Sequence, residues 1–414
     1  MTSFFQYDTA IIGGGPAGLA CAVGAGKRRL SVLLLEKNAR PGRKLLISGT
    51  GQCNLTHTGP IEDFLDRYGG REKGRFAKPA LYHFTNVDLC DFARQHGVAL
   101  EETVTGKVFP ASRQAREVLD LFLSLGKRHG VTIQTDSPVE SVEKTSDLFT
   151  IRTSQSVFSA RNLVIATGGC SYPATGSSGD GWRLAASLGH TIVPPRPGLT
   201  PACFATKDFV ECSGVSVDDV GIRIGKTKHS TRGSVLFTHK GVSGPGILDF
   251  SRNMHPGDKL IFNWLGDIRA ETLDGTLLET FIRYGRKSIK SALRFTGLPE
   301  RLLAALLQAT GILPETLVCE ISRTDRGRIA TMLTNFEVEI TALGGFHEAM
   351  VTVGGVSLWE VNRNSMESRL VKRLYFCGEV LDIDGDTGGY NIQFAVSSGA
   401  LAADNIVTNT MFLS

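Results

Sequence analysis

The sequence predicts an α/β fold in which a Rossmann-like domain is assembled from both chain ends, with an inserted small, barrel-like β domain and a helical subdomain. Three observations predict this fold. Residues 9–36 have the pattern of a strand, a glycine turn, a helix of small residues and a second apolar strand. Residues 374–377 and 392–407 have the pattern of one more strand and helix. Between these ends, short β-type segments occupy 200–263, and helical periodicity occupies 272–335.

The chain has 414 residues, more than one hydrophobic core usually supports, which favours two or three domains. A proline cluster at 194–197 marks one boundary, because three prolines in four residues do not suit a helix or a central strand. We expect a nucleotide-binding domain at 1–195 and 345–414, an inserted β domain at 196–271 and 336–344, and a helical subdomain at 272–335.

Three spaced glycines follow the first predicted strand. Gly13 permits a tight turn, Gly15 lets the backbone approach a phosphate, and Gly18 lets the helix pack closely on the strand. Glu36 ends the second strand, 18 residues after Gly18, within the interval of about 20 at which a carboxylate accepts hydrogen bonds from a ribose. This segment therefore predicts a site for the pyrophosphate of a dinucleotide.

Three later glycine-rich segments also border apolar strands. Residues 42–54 follow the Glu36 strand and carry Lys44, whose charge can offset a phosphate. Residues 166–181 follow a buried strand and consist mainly of small residues, as backbone that passes under a ligand requires. Residues 378–393 combine a carboxylate suited to sugar hydroxyls with a helix start that can face a flavin edge. Four such loops suit an extended cofactor such as FAD better than NAD alone.

Composition narrows the class of protein. A net charge of +4 and an isoelectric point of about 8.6 permit polyanionic partners without requiring them. Eight cysteines without C-x-x-C spacing predict free thiols in a reducing compartment. The cysteines and nine histidines form no metal-type cluster, so we expect no metal. The first residues have neither a basic leader nor an unbroken apolar run, so we expect a cytoplasmic protein without a signal peptide or membrane span.

Seven motifs extend beyond the first glycine turn. They are GRKLLISGTGQCN at 42–54, FPASRQA at 109–115, ATGGCSYPATGSSGDG at 166–181, LFTHKGVSGPGIL at 236–248, VTVGGVS at 351–357, SMES at 365–368 and GEVLDIDGDTGGYNIQFAVSSG at 378–399. With these motifs, nearly the whole chain resembles the FAD-dependent flavoprotein family that includes bile-acid-inducible enone reductases and aminoacetone-oxidase-like proteins. The resemblance implies a Rossmann-like FAD-binding domain with β and helical insertions, and redox chemistry at the flavin.

The resemblance also implies the residues of the FAD site. They are Gly13, Gly15, Gly18, Glu36, Lys37, Lys44, Ser48, Gly49, Cys53, Asn54, Val139, Thr167, Gly168, Gly378, Glu379, Asp382, Gly389, Tyr390, Asn391 and Ile392. We expect an FAD-dependent oxidoreductase that uses NAD(P)H to reduce an activated C=C bond, in an enone-type small molecule or in uridine of ribosomal RNA. The alternatives are an amine oxidase that uses O₂ and a non-enzymatic, flavin-dependent RNA-binding or redox-sensing module. No second glycine fingerprint is present, which favours NAD(P)H as a transient donor over a second Rossmann domain.

Three side chains are weak candidates for catalysis. Cys53 could act as a thiol beside the flavin, but it has no partner at redox-motif spacing, which favours packing against the cofactor. His239 could donate a proton, although an ordinary turn histidine is the favoured interpretation. Tyr390 lies in a cofactor loop, which favours a positional role.

A basic stripe on one helix face is a possible contact for ribosomal RNA. Its members are Arg283, Arg286, Lys287, Lys290 and Arg294. We expect the apolar face of that helix to hold Leu278, Ile282, Ile289 and Leu293. A solvated helix face is the favoured interpretation of the stripe, and phosphate contact is the alternative.

Overall fold

The computed structural model describes residues 5–205, 209–225 and 227–407. The chain divides after Arg196 and again after Ala349 into two compact units. The first unit contains both chain ends, and the second contains the stretch between the two division points. The further division of that stretch into separate β and helical domains stays a prediction.

The first unit begins with strands and helices that follow one another closely. They are β1 (Phe5–Ile12), α1 (Pro16–Lys27), β2 (Val32–Leu35), α2 (Arg43–Ile47), β3 (Thr56–His57), α3 (Ile61–Phe64), α4 (Arg71–His83), α5 (Asn86–Gln95), β4 (Leu100–Glu102), β5 (Lys107–Pro110), α6 (Ala115–Arg128), β6 (Thr132–Gln134), β7 (Val139–Thr145), β8 (Leu148–Thr153), β9 (Val157–Ile165), α7 (Asp180–Ser187) and β10 (Ile192–Gly198).

The second unit and the return to the first contain the remaining elements. They are β11 (Ala202–Phe204), β12 (Ser216–Ile224), β13 (Ser230–Phe237), β14 (Gly241–Ser243), α8 (Pro245–Leu248), β15 (Lys259–Asn263), α9 (Ala270–Tyr284), α10 (Ile289–Ala292), α11 (Glu300–Ala309), α12 (Arg323–Thr334), β16 (Phe336–Leu343), β17 (Val351–Val356), β18 (Leu374–Phe376) and α13 (Tyr390–Asn405). None of the described helices is long and apolar enough to cross a membrane.

The main sheet of the first unit is parallel around β1. Its order is β6-β2-β1-β9, and β9 also pairs with β18 and with the antiparallel pair β8-β7. All four side chains of β2 are buried, as expected for a parallel strand whose two faces are covered. Because β18 comes from the C-terminal part, both ends of the chain build one sheet. The predicted Rossmann-like α/β fold is confirmed.

Helices α1 and α13 pack together beside this sheet, and glycines allow their close approach. A Cβ atom added at Gly24 of α1 would lie 2.7 Å from the Cβ of Ala403. A Cβ added at Gly399 of α13 would lie 2.3 Å from the carbonyl oxygen of Ala17. The glycines inside these helices therefore have a packing reason that outweighs their low helix propensity.

In the second unit, six strands close into a barrel in the order β11-β14-β13-β12-β15-β16, which confirms the predicted barrel-like β insertion. Phe262 and Trp264 stack in its core, with ring centroids 4.7 Å apart. Helical residues such as Leu277, Leu306 and Leu333 belong to the same buried cluster as these rings. The barrel and the helices of this unit therefore share one hydrophobic core.

The predicted apolar face of the helical region was wrong. Leu278 and Ile282, which we expected in the core, are exposed, and α9 buries Leu273 and Leu277 instead. The helix ends before Gly285, so the register of a single helix does not continue to the later members of that face. Ile289 and Leu293 are buried from separate short elements.

The proline cluster at 194–197 lies within a strand at the edge of a sheet, which agrees with the expectation that these prolines do not suit a helix or a central strand. β10 contains all three prolines and pairs with β17 in a two-stranded sheet. An edge strand tolerates residues without an N–H because only one of its sides is hydrogen-bonded. The first division of the chain falls at this strand.

Candidate cofactor site

Four loops meet at one edge of the main sheet. In the register of the strands, Ile12 lies beside Leu35 on one side and beside Ile165 on the other. Phe376 in turn lies beside Ile165. These residues end four parallel strands, so the loops that follow them start side by side. In open α/β sheets this edge is where ligands bind.

The first glycine turn has the geometry that its three positions require. Gly13 has a φ of +108°, and an added Cβ would lie 2.5 Å from the carbonyl oxygen of Ala166. A Cβ at Gly18 would lie 2.0 Å from the carbonyl oxygen of Gly13, whereas one at Gly15 would have no atom within 4 Å. Gly15 caps α1, whose first turn has no acidic residue. Open space at this helix N-terminus suits an anion.

Glu36 supports the glycine turn from the end of β2. Its Oε2 accepts a hydrogen bond from the N–H of Gly14 at 2.9 Å, and its Oε1 accepts one from the N–H of Asn38 at 2.9 Å. Oε2 keeps a second lone pair with which it can accept a ribose hydroxyl. The N–H of Ser137 donates to the backbone carbonyl of Glu36 at 3.0 Å, which links the end of β2 to the segment just before β7, the strand that begins at Val139.

Lys37, a second candidate, forms an ion pair near the third loop. Its Nζ lies 2.5 Å from Oδ2 of Asp180 and also donates to the hydroxyl of Ser178. Burial by itself raises the pKa of the Asp180 carboxyl, but the hydrogen bonds and charge of Lys37 outweigh burial and hold that pKa below its usual value. The Asp180 carboxylate therefore stays ionised at neutral pH and forms an ion pair with Lys37.

Lys44 and Glu379 connect the second, third and fourth loops. Lys44 Nζ lies 2.7 Å from Glu379 Oε2 and donates to the Ser171 hydroxyl at 2.5 Å. Glu379 Oε1 accepts from the N–H of Thr352 at 2.8 Å. The Thr352 hydroxyl accepts from the backbone N–H groups of Cys170 and Ser171. This network, Lys44–Ser171–Glu379–Thr352, fixes three of the loops at this edge of the sheet relative to one another.

Residues 48–54 form a compact turn after α2. The Ser48 hydroxyl donates to the Leu45 carbonyl at 2.7 Å, and the N–H of Cys53 donates to the Ser48 carbonyl at 2.9 Å. Gly49 has a φ of +55°, and an added Cβ would lie 3.1 Å from the backbone nitrogen of Asn54. The side chain of Ser48 is thus used within the turn, and the backbone is held in one conformation.

Thr167 and Gly168 follow β9 directly. The Thr167 hydroxyl oxygen is buried, and no described residue hydrogen-bonds to it. Gly168 has a φ of +76°, and the nearest atom to an added Cβ would be the Ser177 hydroxyl at 3.8 Å. A buried hydroxyl without a protein partner is one that a bound polar group can satisfy.

Asp382 and Gly378 are held by protein groups of the fourth loop and its neighbours. Asp382 Oδ1 lies 2.7 Å from Nζ of Lys73 and accepts from the N–H of Gly354 at 3.1 Å. Lys73 Nζ also lies 2.8 Å from Oδ1 of Asp384, whose side chain is 1% exposed. The N–H of Gly378 donates to the Ser398 hydroxyl at 3.0 Å. Lys73, on α4, therefore positions this loop.

Helix α13 starts at the same loop. Gly389 caps it with a φ of +100°, and an added Cβ would lie 2.6 Å from the carbonyl oxygen of Thr56. The Asn391 side chain accepts from the N–H of Gly385 and donates to its carbonyl, which closes the turn before the helix. Ile392 is half-buried. The backbone at the helix start is therefore tightly constrained.

The three catalytic candidates differ in accessibility. Cys53 is fully buried, and burial raises the pKa of its thiol to about 12, so it is protonated at neutral pH. Tyr390 is 5% exposed and stacks on His57, with ring centroids 5.3 Å apart. His239 lies exposed in the turn between β13 and β14. Burial therefore favours packing roles for Cys53 and Tyr390. Catalysis by Cys53, His239 or Tyr390 stays a prediction.

The structure does not place the predicted basic stripe on one helix. Arg283 lies in the last turn of α9, Arg286 and Lys287 lie in the turn that follows, Lys290 lies in α10, and Arg294 lies in a 3₁₀ turn. Lys290 lies 3.4 Å from a carboxylate oxygen of Glu315, and Arg294 lies 2.7 Å from one of Glu300. The expectation of one continuous face was wrong because the helix breaks at Gly285.

Sequence reasoning missed the protein partners of the predicted site residues. They are Lys73, Ser171, Asp180 and Thr352. Ser171 and Asp180 lie in the motif at 166–181 and Thr352 lies in the motif at 351–357, so the sequence contained a signal for these three residues. Lys73 had no such signal, because its partner Asp384 is 311 residues away in the sequence. The described residues contain no group of three or more side chains that could hold a metal ion.

The fold and this edge define the class of a dinucleotide-binding α/β protein. The chain matches the family described as the HI0933-like protein Rossmann domain over residues 7–405, and it belongs to that family. It is 34% identical to a ribosomal RNA dihydrouridine synthase from Escherichia coli (strain K12), covering 97% of this chain and 98% of that protein. It is 30% identical to a 3-dehydro-bile acid delta(4,6)-reductase from Clostridium scindens, covering 95% and 97% respectively. The chain is an FAD-dependent oxidoreductase.

Solved structures support the same fold. A quinol–fumarate reductase with menaquinol molecules aligns over 98% of this chain and 71% of its own, with a TM-score of 0.51 and 15% identity. At that identity the likeness concerns the fold alone.

The residues at the sheet edge fit an FAD molecule. Open space at Gly15 lies at a helix N-terminus that suits the pyrophosphate, and Glu36 keeps an acceptor position for the ribose. The unpaired Thr167 hydroxyl offers a further polar contact within the described part of the chain. When bound, FAD supplies two-electron transfer, and the protein supplies binding and orientation.

Proposed function

We propose that this protein reduces the C5–C6 double bond of uridine in ribosomal RNA, with NAD(P)H as the electron donor. The observation that carries the proposal is the alignment of nearly the full chain with a ribosomal RNA dihydrouridine synthase. A second synthase of that name, from Haemophilus influenzae, is 30% identical over 97% of this chain. A ribosomal RNA substrate implies that the protein acts in the cytoplasm.

The third relative supports the same type of reaction. Its name describes a delta(4,6)-reductase of a 3-dehydro-bile acid, in which a C=C bond is conjugated to the 3-oxo group, and uridine also has a C=C bond conjugated to a carbonyl. Both reductions add one hydride equivalent and one proton across the double bond. The balance is NAD(P)H, one proton and uridine giving NAD(P)⁺ and dihydrouridine. An enone-type small molecule is therefore the second candidate substrate.

We assign the cofactor contacts to the residues of the converging loops. The N-terminus of α1, with Gly13, Gly15 and Gly18, would hold the pyrophosphate of FAD. Glu36 would accept hydrogen bonds from the hydroxyls of the adenosine ribose. The remaining contacts would come from Lys37, Lys44, Ser48, Gly49, Cys53, Asn54, Val139, Thr167, Gly168, Gly378, Glu379, Asp382, Gly389, Tyr390, Asn391 and Ile392.

A deletion strain tests the proposed substrate. Ribosomal RNA from the deletion strain should lack dihydrouridine that the parent contains, measured by nucleoside mass spectrometry, and the wild-type gene should restore it. A Gly15→Asp variant should not restore it, because a carboxylate at the helix N-terminus repels the pyrophosphate. Unchanged dihydrouridine in the deletion strain would contradict the proposal.

Purified protein separates the remaining alternatives. NAD(P)H oxidation that depends on an added enone, with no action on RNA, indicates a small-molecule reductase. Hydrogen peroxide released on addition of an amine indicates an amine oxidase. A yellow protein that completes no turnover with any of these indicates a flavin-dependent binding or redox-sensing module.

A further inference from the structure

Helix α4 has a narrow basic face that the sequence pattern did not reveal. Arg71, Arg75, Lys78 and Tyr82 follow the spacing i, i+4, i+7 and i+11, and all four are exposed. At 3.6 residues per turn they fall within an arc of about 60°. The opposite side of the helix is buried, including Phe76, so this face points to solvent. We call the four residues the α4 stripe.

Among the described residues the cations of the α4 stripe form no close ion pair, although the charge of Lys78 acts on the carboxylate of Glu62. No ion pair joins Arg71, Arg75 or Lys78 to any residue that the structure describes. Exposed arginines on neighbouring helices differ: Arg94 of α5 pairs with Asp91 at 3.4 Å, and Arg116 of α6 pairs with Asp120 at 3.2 Å. The only carboxylate on α4 is Glu72, which lies exposed next to Arg71, so the three cations of the stripe outnumber it.

Further basic residues extend this surface. The guanidinium of Arg363, an exposed residue, donates to the backbone carbonyl of Arg75 at 3.4 Å. Arg67, in the 3₁₀ turn that precedes α4, has a side chain that is 52% exposed, and its guanidinium lies 3.9 Å from a carboxylate oxygen of Asp386. Glu62 accepts a hydrogen bond from the Tyr82 hydroxyl, which places an acidic group at the far end of the stripe.

The α4 stripe is connected to the fourth cofactor loop. Lys73, on the same helix, contacts Asp382 and Asp384 at 2.7 and 2.8 Å. The guanidinium of Arg67 lies 5.8 Å from the ring centroid of Tyr390, the first residue of α13. A polyanion bound along the stripe would therefore lie beside the loop to which we assign cofactor contacts.

We propose that the α4 stripe, with Arg67 and Arg363, binds the phosphate backbone of the RNA substrate. This inference rests on the proposed function, because it assigns the surface that receives that substrate. A row of cations along a helix face neutralises phosphates and releases their counterions, which makes affinity depend on salt. The stripe carries this role in place of the predicted stripe at 283–294, whose members lie on separate elements.

The test compares two triple variants with equal loss of charge. Arg71→Ala/Arg75→Ala/Lys78→Ala removes the cations of the stripe, and alanine preserves the helix. The control, Arg94→Ala/Arg116→Ala/Lys127→Ala, removes three exposed cations from α5 and α6. Binding to protein-free ribosomal RNA from a deletion strain is measured across a salt series, together with FAD content and melting temperature.

The stripe variant should bind RNA more weakly, with a slope of log affinity against log salt that is smaller by about 2 to 3. Its FAD content should equal that of the wild type, and the control should keep the wild-type slope. Equal slopes for the wild type and the stripe variant, or an equal loss in both variants, would overturn the inference. If the wild type forms dihydrouridine while the stripe variant binds normally, the inference fails and the proposed function stands. If the wild type forms none, the proposed function fails.

Discussion

Nζ of Lys44 lies 2.7 Å from Oε2 of Glu379, although the two residues are 335 positions apart in the sequence. Both side chains are largely buried, with 27% and 20% exposure. The contact joins the loop after β2 to the loop after β18, and through Ser171 it reaches the loop after β9. The ion pair therefore joins the N-terminal and C-terminal parts of the first unit at the edge of the main sheet to which we assign the cofactor.

Glu379→Gln should lower both stability and FAD affinity. The amide keeps the hydrogen bond from Thr352 but loses the charge that faces Lys44. We therefore expect the free energy of unfolding to fall by about 1–2 kcal/mol. Urea denaturation measures the first effect, and fluorescence titration with FAD measures the second. Glu101→Gln, which breaks an exposed pair with Arg113, is the matched control and should change neither. Wild-type behaviour of the Glu379 variant would refute a role for this pair.

A substitution at Gly15 should impair FAD binding, whereas one at Gly18 should lower the stability of the fold. Gly15→Asp should fold normally, because its Cβ meets open space and aspartate is a favourable helix cap, but it should lose FAD binding. Gly18→Ala should lose about 1–3 kcal/mol of stability, because its Cβ meets backbone at 2.0 Å. Gly15→Asn has the size of aspartate without its charge, so the difference in FAD affinity between the two variants measures the effect of the charge. Normal FAD affinity of the Gly15→Asp protein would place the pyrophosphate elsewhere.

Lys73→Met should destabilise the protein by about 3 kcal/mol, because it leaves two carboxylates without their cation in a mostly buried position. Lys73→Arg should recover part of the loss. Equilibrium unfolding of the FAD-free proteins measures both variants. A methionine variant as stable as the wild type would mean that Asp382 and Asp384 do not depend on Lys73.

Cys53 should make the protein less stable in alkali. The unfolded thiol ionises near its ordinary pKa of 9.0, whereas burial raises the folded pKa to about 12. Between these values the unfolded state releases a proton that the folded state keeps, so stability falls as pH rises above 9. Cys53→Ala should reduce that slope by about 1 kcal/mol per pH unit. Cys319→Ser, at an exposed thiol, should leave the slope unchanged.

Thiol labelling gives a second measurement of the same burial. At pH 8 an aromatic disulfide reagent should modify Cys319 in the folded protein and spare Cys53. Rapid labelling of Cys53 would contradict its burial and restore it as a candidate for redox chemistry.

Local patterns in the sequence were sufficient for the first domain. The turn at Gly13 and Gly18 depends on steric contacts within one βα unit, so spacing alone predicted it. The apolar run of β18 likewise predicted a further strand. The structure adds the register that aligns Ile12 with Ile165 and Ile165 with Phe376, which no local pattern contains.

Long-range pairings and helix breaks could not be predicted in this way. Lys73 contacts a loop more than 300 residues away, and its charge has no local signature. The prediction that Leu278 and Ile282 are buried was wrong because it assumed one continuous helix past Gly285, whereas α9 ends there. The basic face of α4 was missed for the opposite reason, since its cations are interleaved with buried residues and become a stripe only on a helix.

Anaerobic turnover tests the central claim most directly. The purified, FAD-loaded protein is reduced with NADPH or NADH until its flavin absorbance bleaches, and ribosomal RNA from a deletion strain is then added. We predict that the absorbance returns and that one dihydrouridine forms for each two electrons transferred, counted by nucleoside mass spectrometry. A flavin that stays bleached in the presence of this RNA, with no dihydrouridine formed, would contradict the account.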